Sequence, residues 1–240
     1  MGNRKAESRR EFLRAAGAGL ASTGCAARLR GQGTDAAIVP RPRSLQISGA
    51  GRTELRPDMP VLLGKSLAAI EHQWVPRPLL RRLREKPAIQ PAIVESAGAA
   101  LAAPSILIGK PGDHRELAAL AKELGSKAGR TSAGEGYVLA TGPQGVRIAA
   151  ESPAGAFHAV QSLLQTMGGG TAVPEMKAAD APDVPFRGMH IRARDPRDIP
   201  ILQRFIREVL PRLKANTVIL EINYGFRFRS HPEINEDTML

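Results

Sequence analysis

Glu135-Gly136-Tyr137-Val138-Leu139-Ala140, Gly145-Val146-Arg147-Ile148-Ala149-Ala150 and Pro153-Ala154-Gly155-Ala156-Phe157-His158-Ala159-Val160-Gln161-Ser162-Leu163-Leu164-Gln165 decide the fold of this 240-residue chain. The first two runs are short and apolar. Thr141-Gly142-Pro143-Gln144-Gly145 lies between them, and its Gly and Pro residues predict a hairpin. Ser152-Pro153 then predicts a helix start: a serine hydroxyl can accept an orphan N–H, and proline presets the first helical φ. Ala156, Phe157, Val160, Leu163, Leu164 and Met167 share one stripe, and Gly168-Gly169-Gly170 ends it.

Upstream the same grammar repeats. Leu45 and Ile47 alternate as in a short strand, and Pro60-Val61-Leu62-Leu63-Gly64 predicts a second. Residues 66–85 have near-helical apolar spacing broken by Pro76 and Pro78, which predicts two helical pieces. Ser105-Ile106-Leu107-Ile108-Gly109 reads as a buried strand, with the turn Lys110-Pro111-Gly112 after it. Asp113 is placed to cap a helix to about Leu124, with Gly125 beyond its end. Together these predict an α+β class domain over residues 37–173: a small antiparallel sheet with helices on one face.

Downstream, Pro174, Pro182 and Pro185 among Ala and Asp residues predict a connector over 174–185. A strand (Phe186–Ile191), a helix (Ile199–Leu213, Pro200 in its first turn) and a strand (Thr217–Asn223) follow. This is one βαβ unit, the repeating piece of a parallel sheet or (β/α)8 barrel. Within 186–240 the unit reads as the truncated start of a TIM barrel, because residues 224–240 supply no second covering helix.

The chain opens differently. Ser8-Arg9-Arg10-Glu11-Phe12-Leu13 precedes a weakly apolar Ala/Gly run, the pattern of a twin-arginine export signal over residues 1–27. The run is shorter than the roughly 20 residues a transmembrane helix needs. The expected location is therefore exported, periplasmic or extracellular. Ala21-Ser22-Thr23-Gly24-Cys25 resembles a lipobox with Ser22 in place of the usual Leu. Cys25 is accordingly a candidate lipidation site, and a lipid anchor there the expected membrane contact. Cys25 is the single cysteine, so neither an intramolecular disulfide nor a cysteine-based metal site can form.

The formal charge is +11. Arg4, Lys5, Arg9, Arg10 and Arg14 against Glu7 and Glu11 put part of it in the signal, and the remaining basic residues are scattered apart from Arg81, Arg82 and Arg84. With aromatics at only 4%, a base-stacking nucleic-acid platform is not expected. The histidines show no metal-ligand spacing, no Gly-x-Ser-x-Gly motif is present, and no cofactor or metal is expected.

The run from Glu135 to Gln165 resembles the small N-terminal domain of family 20 glycoside hydrolases, the β-N-acetylhexosaminidases. Pro185-Phe186-Arg187-Gly188-Met189-His190 and Lys214-Ala215-Asn216-Thr217-Val218-Ile219-Leu220 resemble the opening of that family's catalytic barrel. The resemblance spans roughly residues 37–232. It implies hydrolysis of terminal N-acetylhexosamine bonds by a substrate-assisted route, an exception to the two-carboxylate scheme, with an amino-sugar glycan as partner. It also implies that Arg187 binds sugar hydroxyls, which a guanidinium fork suits; bracing the interface with the first domain is its other role. Ile219, Glu221 and Asn223 share one strand face, which puts Glu221 and Asn223 at a strand C-terminal end, where barrel sites form. The family's catalytic Asp-Glu pair has no counterpart, because the sequence holds no Asp-Glu dipeptide. No catalytic residue is assigned, and the chain alone is expected to be inactive. A non-catalytic exported carbohydrate-binding or interaction protein is the second expectation.

Overall fold

A computed structural model describes residues 37–67, 74–83, 92–94, 98, 100–101, 104–128, 134–192, 196–221 and 228–235. Seven strands form one sheet: β1 (Ser44–Glu54), β2 (Val61–Gly64), β3 (Ala92–Val94), β4 (Ser105–Gly109), β5 (Tyr137–Gly142), β6 (Gly145–Ala150) and β7 (Ala172–Asp180). Their spatial order is β1-β7-β5-β6-β4-β2-β3.

The hairpin forms as expected but is tighter. β5 and β6 pair in register from Tyr137↔Ala150 to Gly142↔Gly145, which leaves only Pro143 and Gln144 in the turn. Gly145 has φ +95, and a Cβ there would lie 2.1 Å from the Ser105 carbonyl oxygen. Glycine is therefore required both for the turn and for the approach of β4.

The sheet is mixed, which corrects the expected antiparallel arrangement. β1–β7, β7–β5 and β5–β6 run antiparallel, whereas β4–β6, β2–β4 and β2–β3 run parallel. The physical reason lies in β4: all five residues are buried, and an uninterrupted apolar run suits a parallel strand covered on both sides.

Helices cover both faces, not one. The side chains of each strand alternate between two cores. Leu107, Val138, Ala149 and Ala179 meet Leu117, Leu120 and Leu124 of α2 (Arg115–Ala128). Ile106, Ile108, Leu139 and Ile148 share a larger core with Leu79 of α1 (Arg77–Leu83) and with Val160 and Leu163 of α3 (Pro153–Thr166). Each such fully buried Leu, Ile or Val contributes about 1.5–3 kcal/mol through burial.

The connector expected over 174–185 is instead largely strand. β7 lies between β1 and β5 in the sheet interior. Pro174, which cannot donate to the ladder, is tolerated where the β1 register shifts between Ile47 and Arg52. Its carbonyl accepts a hydrogen bond from the Thr141 hydroxyl, at 2.5 Å.

Two helix ends also differ from expectation. α2 runs on to Ala128 through Gly125. Asp113 ends the 3-10 turn Pro111–Asp113, where its carboxylate accepts from the Lys110 N–H at 2.6 Å and the Ser66 N–H at 3.0 Å. The first turn of α2 is held by His114 Nδ1, which accepts from the Glu116 N–H at 3.2 Å. The start of α3 is as read: Ser152 Oγ accepts from the Gly155 N–H at 3.2 Å, with Pro153 in the first turn.

After β7, strands β8 (Gly188–Arg192) and β9 (Thr217–Glu221) form a separate parallel pair. Between them α4 (Ile199–Arg204) continues as a π-helical turn over Phe205–Val209, not as the uniform helix expected to Leu213. The π turn is closed by the Leu210 N–H donating to the Phe205 carbonyl at 3.1 Å. Among the described residues no helix is long and apolar enough to cross a membrane.

Candidate functional site

The chemistry-bearing groups concentrate where the βαβ unit meets the mixed sheet. Tyr137 and Asp180 are register partners on β5 and β7, and Glu135 lies just before β5. Asp180 and Glu135 thus sit at one end of the sheet. Arg187 and Lys214–Asn216 precede β8 and β9, whose first residues, Gly188 and Thr217, are partners. The βαβ unit therefore meets the sheet through the N-terminal ends of its strands.

Two buried clusters join the pieces. In the first, Glu135 Oε2 accepts from Arg187 Nη2 and lies 3.0 Å from His158 Nε2, while Asn216 Nδ2 donates to Glu135 Oε1 at 3.4 Å. Arg187 also donates from Nε to the Lys214 carbonyl and from Nη1 to the Val184 carbonyl, each at 2.8 Å. In the second, Lys214 Nζ donates to Asp180 Oδ2 at 2.6 Å and to the Tyr137 hydroxyl at 3.0 Å, and that hydroxyl lies 2.7 Å from Ser162 Oγ. Lys214 holds φ +57, a left-handed conformation that costs a non-glycine residue about 1–3 kcal/mol and persists only where its surroundings enforce it.

The electrostatics follow from these contacts. Burial acts to raise the Glu135 carboxyl, but hydrogen bonds and charge from Arg187 and His158 outweigh it and hold the group below its usual range. Burial lowers His158 against the opposing pull of Glu135, and the positive charges of Arg187 and Lys214 lower it further. Its Nε2–H faces Glu135, while its buried Nδ1 has no partner among the described residues. A second proton on Nδ1 would meet no acceptor among the described residues, which acts in the same direction as burial. Burial lowers Lys214, with Asp180 opposing, and burial followed by the charge of Asp180 raises Tyr137.

The structure places the sequence-predicted residues as follows. Arg187 lies in the first cluster, with each guanidinium nitrogen bonded to a protein partner, the bracing geometry. Glu221 lies at the C-terminal end of β9 and pairs with Arg192 across the strands. Its Oε2 is 3.0 Å from His190 Nε2. Ile219 and Glu221 thus share a face with His190 and Arg192. Asn223 and Cys25 lie outside the described residues, as does the signal segment. Among the described residues no His/Cys/Asp/Glu group could hold a metal ion.

Sequence reasoning missed Glu135, Asp180 and Lys214. Glu135 and Lys214 stand in the very runs that carry the family resemblance, a signal that could have singled them out. Asp180 was hidden by the connector assignment.

The architecture is thus a mixed α/β domain with helices on both faces that meets a βαβ unit at one end of its sheet. Residues 35–181 match the model of glycosyl hydrolase family 20, domain 2, and the chain belongs to that family. Among solved structures it is similar to the β-N-acetylhexosaminidase of Bacteroides fragilis, at 19% identity and TM-score 0.58 over 82% of this chain and 36% of that one. A mutant Streptomyces plicatus β-hexosaminidase in complex with its product GlcNAc is 24% identical, TM-score 0.58, over 84% of this chain and 38% of that one. The chitobiase of Flavobacterium johnsoniae is 18% identical, TM-score 0.57, over 84% and 30%. The chain thus spans between 30% and 38% of the length of these relatives. No curated protein matches it.

Proposed function

We propose that this chain is the N-terminal part of an exported family-20-like glycoside hydrolase whose complete form hydrolyses terminal N-acetylhexosamine bonds of amino-sugar glycans. One observation carries the reading: β8 and β9 form a helix-linked parallel pair, docked on the family's domain by their N-terminal ends, with Glu221 at the opposite, C-terminal end. That is the end at which barrel enzymes build their sites.

The exposed apolar side chains of this unit support the same reading. Met189, Val218, Ile219 and Leu220 are 37–52% exposed, as expected of strands that further barrel strands and helices would cover. In the complete enzyme Glu221 and Asn223 line the sugar site. Arg187, Glu135 and Lys214 hold the barrel on its accessory domain. Residues 1–27 direct export by the twin-arginine route, and Cys25 carries a lipid anchor. The 240 residues by themselves lack the Asp-Glu pair and do not hydrolyse substrate.

The test is to read the coding sequence past Leu240, express the longest product and assay it beside this chain on a chromogenic N-acetylglucosaminide. Hydrolysis by the longer product alone is expected. A longer product that has further strands and an Asp-Glu pair yet cleaves no aminosugar substrate would overturn the reading.

A further inference from the structure

On the α1/α3 side of the molecule, a cavity of about 650 Å3 opens between α1, α3 and the π turn after α4. Small-ligand sites typically occupy about 300–1,000 Å3. Trp74, Arg77, Arg81, Arg207 and Arg212 line it. The Trp74 indole is 40% exposed and rests edge-on against Phe157, with ring centroids 5.2 Å apart and planes at 61°.

The polar groups here are free for a ligand. Arg82 is committed to the wall, donating to the Gly168 and Gly170 carbonyls at 2.9 and 2.7 Å. The side chains of the other four arginines have no hydrogen-bonding or ionic partner among the described residues, although the Arg212 carbonyl accepts from Gln165 Nε2 at 3.2 Å. Glu208, the acid among the lining residues, already pairs with Arg204 at 3.0 Å. Gln161 is only 4% exposed and lines the cavity, yet its amide makes no hydrogen bond among the described residues. An amide that opens on the cavity without a protein partner can donate to and accept from a ligand hydroxyl.

We propose that this cavity binds an anionic oligosaccharide. A sugar ring lies against Trp74, the carboxylate or sulfate groups pair with Arg77, Arg81, Arg207 and Arg212, and a hydroxyl meets Gln161. Guanidinium forks match the planar or tetrahedral oxygens of such anions. A nucleic-acid strand fits less well, because it calls for a groove with successive stacking aromatics and this site offers a single exposed indole in a bounded cavity. The inference does not depend on the hydrolytic reading: a chain without glycosidase activity would bind all the same.

Trp74 is the chain's single tryptophan, so its fluorescence reports on this cavity alone. The full chain is titrated at low ionic strength with a heparin-derived tetrasaccharide, tetragalacturonate, neutral chitotetraose and an oligothymidylate. Either anionic sugar, or both, is expected to shift the Trp74 emission, and the comparison tells sulfate from carboxylate recognition. Added salt should weaken binding. The double variant Arg77→Ala/Arg81→Ala, at exposed positions, should weaken it by about tenfold or more. Lys122→Ala, on the opposite face of the sheet, should change nothing. The proposal is overturned if no anionic sugar binds, if chitotetraose binds as tightly, if the oligothymidylate binds more tightly than either anionic sugar, or if the arginine variant binds like the parent chain.

Discussion

Replacing Asp180 by alanine strands a charge. Lys214 Nζ sits 2.6 Å from Asp180 Oδ2, with side chains 8% and 11% exposed. Without Asp180 the ammonium keeps, among the described residues, the Tyr137 hydroxyl at 3.0 Å as its hydrogen-bond partner. Removing one member of a buried pair costs about 3–5 kcal/mol. The alternative, shedding the proton, sets a ceiling: taking lysine from its ordinary value of about 10.4 to neutral at pH 7 costs ~4.6 kcal/mol at about 1.4 kcal/mol per unit. Asp180→Ala should therefore lose about 3–4 kcal/mol, a large share of the roughly 5–15 kcal/mol that holds a domain folded.

The assay is urea unfolding followed by circular dichroism, and two controls isolate the charge. Adding Lys214→Met to Asp180→Ala should recover most of the loss, because the double variant buries no unpaired charge. Raising the pH toward 10 should shrink the single variant's deficit, since the unfolded chain then gives up the lysine proton more easily. A double variant no more stable than Asp180→Ala, with a deficit indifferent to pH, would refute the reasoning.

Gly145→Ala places a Cβ 2.1 Å from a backbone oxygen at φ +95; a loss of at least about 3 kcal/mol, or failure to fold, is expected on thermal melting. Acid should destabilise the chain in two steps. His158 has a folded pKa below its ordinary 6.5, so as pH falls through 6.5 the unfolded state takes up a proton first and stability drops until the folded value is passed. Glu135, also lowered, adds a loss below about 4.5 by the same sign. Urea midpoints at mildly acidic and neutral pH check this, and His158→Gln should abolish the first step. Leu220→Lys, on a side chain 52% exposed, should leave this chain's stability within about 0.5 kcal/mol yet lower the melting temperature of a longer barrel-containing product; equal tolerance in both would count against further strands covering that face.

Local signals were legible and long-range pairings were not. The Ser152-Pro153 helix start and the Gly-Pro hairpin appear as read because their causes lie within a few residues. Whether β4 has parallel or antiparallel neighbours depends on β2 and β6, some forty residues away on either side, and an apolar run such as Ile106-Leu107-Ile108 is compatible with both. Pro174, Pro182 and Pro185 among Ala and Asp read as connector, whereas Met176 and Ala178 on one face of β7 and Ala179 on the other pack into the two cores. In the structure the β1 irregularity absorbs the missing donor of Pro174. At the site, Glu221 falls at its strand end as spacing required, whereas the contacts of Arg187 with Glu135 and His158 join partners far away in sequence.

The interface chemistry also explains why the accessory domain is built as it is. An apolar contact would bind the two pieces with little preference for angle. Here two acids at one end of the mixed sheet meet an arginine and a lysine at the N-terminal ends of two parallel strands. Glu135 takes its arginine hydrogen bond beside His158 and Asn216, and Asp180 takes its lysine beside Tyr137. Because a buried charge left unpaired is heavily penalised, sliding the βαβ unit by one residue would break both clusters together. The left-handed Lys214 is consistent with this, since its backbone strain is tolerated where its ammonium must reach Asp180. The clusters therefore fix which way the strands point. Their N-terminal ends are consumed by the docking, and the C-terminal end, with Glu221 held by Arg192 and His190, faces away from the mixed sheet.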